Sequence, residues 1–67
     1  MKMCEFVVYL EDGSKERREV IRNIIAARRK DGNVLLMDAF GSVTSVENAT
    51  IEEANTFTQE VILRKGS

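Results

Sequence analysis

A chain whose only cysteine is Cys4 cannot staple itself with an internal disulfide, and at 67 residues it has little core to rely on instead. A domain of this size buries only about 60% of the surface its unfolded chain exposes, and one such core supplies no more than about 3–5 kcal/mol. The expectation is therefore one domain over residues 1–67, stabilised by close packing, a bound metal or a second copy of the chain. The lone thiol fits a reducing compartment. Met1-Lys2-Met3-Cys4-Glu5 does not have the pattern of a signal peptide, and no run approaches the roughly 20 apolar residues of a membrane span. A cytoplasmic protein with no membrane partner is expected.

The net charge of −1 hides a segregation. Lys15, Arg17, Arg18, Arg22, Arg28, Arg29 and Lys30 face only Glu16 and Glu19 between residues 15 and 30, whereas the rest of the chain sets three basic residues against nine acids. A basic side and an acidic side follow, although charge runs most often serve as solvated faces.

Cys4 to Leu10 alternates as a strand with Cys4, Phe6, Val8 and Leu10 on one face. Asp12-Gly13-Ser14 stops it. Ser14 then fits an N-cap, and Val20, Ile21, Ile24, Ile25 and Arg28 recur at helical spacing, so the local signals predict a helix over about 15–29, closed by Gly32. A competing reading takes Asp31-Gly32 as a two-residue hairpin turn. Ile24 to Lys30 then pairs antiparallel with Asn33 to Ala39, and at most a helical turn stands near Glu16 to Asn23.

Val34 to Phe40 reads as an interior strand, Val43 to Glu47 as its return, Ile51 to Asn55 as a single helical turn capped by Thr50, and Phe57 to Arg64 as a closing strand. Tyr9 is the aromatic expected to face solvent. The fold class expected is α+β: a small antiparallel sheet of four or five strands with one helix, or a partly open barrel if the hairpin holds.

Histidine is absent, which removes the commonest general base and neutral metal ligand. No Ser/His/Asp or Cys/His nucleophile set can be assembled, and Gly13, Gly32 and Gly41 each stand alone, so they form no phosphate loop. A non-enzymatic binding protein is expected. Loop carboxylates Glu11, Asp12, Asp31, Asp38 and Glu47 are candidate ligands for a hard divalent cation of the Ca²⁺ type, in a cleft made where loops meet. The cations Arg17, Arg18, Arg22, Arg28, Arg29 and Lys30 are the alternative, an RNA-binding surface, against which stand the acidic pI of about 5.4 and aromatics without stacking-platform spacing. Cys4 reads either as a small buried hydrophobe or as a ligand, and two copies could meet through it.

At Met3-Cys4-Glu5, Val8-Tyr9-Leu10 and Asp12-Gly13 the chain resembles the CooT family, small proteins named for a nickel-related protein of carbon monoxide dehydrogenase maturation and also labelled as RNA-binding. Glu19-Val20, Val34 through Gly41, Val46, Ile51 and Val61-Ile62-Leu63 look like later landmarks of that family. The resemblance covers nearly the whole chain. It implies a small β-rich domain, a homodimer in some members, and Cys4 as a Ni²⁺ ligand. The family cysteine directly follows the initiator methionine, whereas Cys4 follows Met1-Lys2-Met3; a start at Met3 would restore the arrangement. A homodimeric assembly module is a further alternative.

Overall fold

In a computed structural model, residues 5–13 and 16–66 are described. They form strands β1 (Phe6–Glu11), β2 (Arg17–Lys30), β3 (Asn33–Asp38), β4 (Val43–Val46), β5 (Ala49–Asn55) and β6 (Glu60–Lys65). The strands make one six-stranded sheet in the order β4-β3-β2-β1-β6-β5. Its neighbours are antiparallel except β1 and β6, which run parallel. The α+β, antiparallel expectation is thus overturned: the fold is an all-β mixed half-barrel with no helix among the described residues.

The predicted helix over 15–29 is the 14-residue strand β2, and its irregular pairing explains the misleading pattern. Three register shifts interrupt it, two against β1 and one against β3 between Ile24 and Ala26, with Asn23 at φ 62° inside the first pair. Each bulge adds a residue and resets which face the next side chain takes. Ile21 and Ile24 therefore both pair with inward residues, Val8 and Phe6, though they stand three apart. A bulged strand has here the spacing of an amphipathic helix. The hairpin alternative does hold from Ile24 on: Ile24 pairs with Asp38 and Lys30 with Asn33, across Asp31 and Gly32 at φ 52° and 80°, the backbone that a type I′ turn requires.

The same cause removes the helical turn expected over Ile51 to Asn55. β5 carries a bulge between Ile51 and Glu53, which leaves Ile51, Leu63, Ala54 and Val61 in inward rows. The expected strand from Phe57 begins instead at Glu60, because Asn55 caps a turn over 56–59: its Oδ1 accepts from the Phe57 and Thr58 amides at 2.9 and 3.1 Å. β3 likewise stops at Asp38, before Phe40. Phe6, Val8 and Leu10 share the inner face as expected, while Cys4 and Ser14 lie outside the described residues.

The sheet's two outermost strands, β4 and β5, are joined only by Glu47 and Asn48. Flat, six strands would hold the outer pair about 24 Å apart, whereas the connection reaches no more than about 11 Å. The sheet must curl, and β2 bends at its bulges to allow it. The core lies inside the curl: Val8, Leu10, Ile24, Val34, Leu36, Val46, Ala49, Val61 and Leu63. Hydrogen bonds pin the closure. The Ala49 amide donates to the Gly32 carbonyl at 3.0 Å, the Asn48 amide to Asn33 Oδ1 at 3.1 Å, and Asn48 Nδ2 to the Gly66 carbonyl at 3.1 Å.

Asn48 holds φ 53°, a conformation that alanine resists and glycine accepts. Asn48→Ala loses both the side-chain bond and the backbone fit and should cost about 2 kcal/mol, with Asn48→Gly costing less, as read by urea unfolding. Equal losses in the two variants would show that the backbone conformation contributes nothing.

Candidate functional site

The five candidate carboxylates do not form one cleft. Glu11 ends β1 and accepts from Arg17 Nε at 2.8 Å on the neighbouring strand. Asp12 follows it, exposed, in a polar depression with Glu16, Arg17 and Arg18. Asp31 sits in the β2–β3 turn and Glu47 in the β4–β5 connection, where its backbone carbonyl accepts from Lys65 Nζ at 2.8 Å. Asp38 caps the β3–β4 loop: one oxygen, Oδ1, accepts from the Phe40 and Ser42 amides at 2.9 and 3.0 Å. Among the described residues no three acidic or cysteine side chains are grouped to hold a metal ion.

The basic residues are divided as well. Because β2 is a strand, Arg28 and Lys30 share the outer face with Leu35 and Asn33, whereas Arg29 and Arg18 fall in rows with the inward Val34 and Leu10. Arg17 is paired with Glu11, and Arg22 makes a two-pronged contact to Glu19, both oxygens at 2.9 Å. Those bonds hold the Glu19 carboxyl below its ordinary value and push Arg22 further into its charged form. All these pairs are exposed, so each contributes little to stability.

Two apolar hollows remain. The inner one, about 220 Å³, opens between β2 and β5 and is lined by Phe6, Ile24, Ala27, Ile51, Ala54 and Val61 among others. Phe6, which lines it, is the first residue of β1 and follows Cys4 by two positions in the sequence. The outer one, about 180 Å³, lies on the opposite face between β2, β3 and β4. Neither was legible in the sequence, where Val34 to Phe40 looks buried on both faces. Phe40 and Phe57 are each 95% exposed, in loops capped by Asp38 and Asn55, while Tyr9 is half-buried, the reverse of the expectation that Tyr9 faces solvent. The signal that could have placed them is the Asp or Asn two residues before each phenylalanine, the spacing of an Asx turn.

Residues 3–64 match the family described as CO dehydrogenase accessory protein CooT. The chain belongs to the CooT family. A solved structure described as a CooT of Carboxydothermus hydrogenoformans has the same fold, with a TM-score of 0.80 at 16% sequence identity, covering 96% of this chain and 100% of that one. No curated protein matches the chain. No helix among the described residues is long and apolar enough to cross a membrane. Within the CooT match, Cys4 falls inside the matched span and outside the described residues.

Asp38 serves the loop through a single acceptor oxygen, which an amide can replace. Asp38→Asn should keep wild-type stability to within about 0.5 kcal/mol, and Asp38→Ala should lose about 1–2 kcal/mol in thermal or urea unfolding. A loss in Asp38→Asn as large as in Asp38→Ala would show that the charge matters and not the cap.

Proposed function

We propose that this CooT-family chain is a non-enzymatic nickel-binding accessory of carbon monoxide dehydrogenase maturation, with the Cys4 thiolate as its protein ligand. The observation that carries the reading is the family match over residues 3–64, a span that includes Cys4; the resemblance of Met3-Cys4-Glu5 to the family's N-terminus supports Cys4 as the ligand. The chemistry agrees with it. Thiolate is the softest donor this chain has, with no histidine to compete, and a soft donor favours Ni²⁺ over Ca²⁺. Nickel is cargo here, held for transfer to an enzyme.

One thiol and nearby backbone nitrogens fill few coordination positions, so a complete donor set is reached most simply by two chains. The apolar hollow partly lined by Phe6, at the start of β1, favours that second element of the reading, since it offers apolar surface at a residue two positions from Cys4 in the sequence. Phe6, Ile51 and Ala54 would be covered in such a pair. The dispersed carboxylates and the division of the arginines between two faces give no comparable support to calcium or RNA binding.

Titration of the reduced chain with Ni²⁺ should raise a thiolate-to-nickel charge-transfer band in the near ultraviolet, accompanied by a doubling of mass in light scattering. Cys4→Ser should abolish the band, while Glu11→Gln with Asp12→Asn should leave it unchanged. A chain starting at Met3 should bind at least as tightly as one starting at Met1. Nickel binding unaltered by Cys4→Ser would contradict the proposal.

A further inference from the structure

The outer face of the sheet is finished on one half and bare on the other. Over β1, β6 and β5 its cations are matched: Arg17 with Glu11 at 2.8 Å and Arg64 with Glu52 at 3.4 Å, while Ile62, in the row of Tyr9 and Glu53, is only 3% exposed. Over β2, β3 and β4 the rows Ala26–Met37–Val43 and Arg28–Leu35–Ser45 leave an apolar depression of about 180 Å³, with Val43 58% exposed at its edge. Arg28 borders it, and Lys30 stands two residues along on the same face. Neither has an ion-pair partner among the described residues.

The geometry points to this half-face as a docking surface for an acidic, amphipathic polypeptide segment, whose apolar side chains fill the depression over Leu35, Met37 and Val43 and whose carboxylates meet Arg28 and Lys30. Charge complementarity selects the occupant: among the described residues, the outer-face cations without an ion-paired carboxylate are Arg28 and Lys30, both beside the patch, and an acidic partner would supply that carboxylate. A methionine in the floor suits varied apolar side chains, as adaptable binding surfaces use. Nucleic acid fits less well, because the lining is aliphatic, offers no aromatic ring for a base to stack on, and presents only two cations for phosphates. The inference uses none of the residues of the nickel proposal and stands or fails apart from it.

The test is residue-resolved amide shifts of the full chain with a synthetic amphipathic peptide of leucine and glutamate, beside the same peptide with lysine for glutamate and a single-stranded oligouridine. The leucine–glutamate peptide should move the amides of Ala26, Arg28, Leu35, Met37 and Val43. Its affinity should fall about tenfold in the Arg28→Glu, Lys30→Glu double variant and also fall in Val43→Asp, with Arg64→Gln unaffected. Folding of each variant is checked by its own amide spectrum, so a lost fold is not read as lost binding. Absence of shifts at the patch, equal or tighter binding of the lysine peptide or of oligouridine there, or shifts that follow protein concentration without peptide, would each overturn the inference, the last by making a second copy the occupant.

Discussion

The whole architecture depends on a connection too short for a flat sheet. Glu47 and Asn48 join the two strands that stand at opposite edges of the pairing order, so the sheet can exist only if it wraps until those edges meet. Wrapping is what encloses Val8, Leu36 and Leu63 in a common interior without a helix to cover them. It also explains the bulges of β2, since a regular 14-residue strand would resist the bend that a half-barrel of so few strands requires. Asn48, Gly32 and Gly66 then serve one purpose: they tie the connection, the β2–β3 turn and the end of β6 at the point of closure.

How much of this was legible in the sequence follows from that constraint. Strands with regular alternation, such as Phe6 to Leu10, and the type I′ turn at Asp31-Gly32 are local properties and could be read directly. The partners of β1 could not, because its parallel pairing with β6 joins residues more than fifty apart in the chain. β2 misled for a definite physical reason. Bulges break the period of two, and Val20, Ile21, Ile24 and Ile25 then satisfy a helical template as well as a strand. Their β-branched side chains were the contrary signal, since valine and isoleucine favour pleated surfaces over helices. Capping signals were read as helix starts where they belong to turns and bulges, as at Thr50-Ile51-Glu52-Glu53.

Candidate ligands could be read from residue type, but not their surroundings. Residue types alone identified Cys4 and the carboxylates as candidate ligands, and the resemblance that singled out Cys4 is now a family membership over residues 3–64. Composition could not say that Glu11 would be taken by Arg17, or Asp38 by two loop amides, because both depend on which strand lies beside which. The charge segregation along the sequence was real, yet its meaning changed. A helix would have gathered the arginines on one side. The strand splits them between two faces and leaves Arg28 and Lys30 without an ion-paired carboxylate among the described residues, beside an apolar depression. The two apolar hollows thus lie on opposite faces of one sheet.

The half-barrel rests on closure of the sheet edges, and one amide reports it. The Ala49 N–H, first in an edge strand, donates to the Gly32 carbonyl across the gap at 3.0 Å. Residue-resolved hydrogen exchange should find it protected to the same degree as the amides between β2 and β3. Exchange at the rate of an open loop would contradict the half-barrel closure described here.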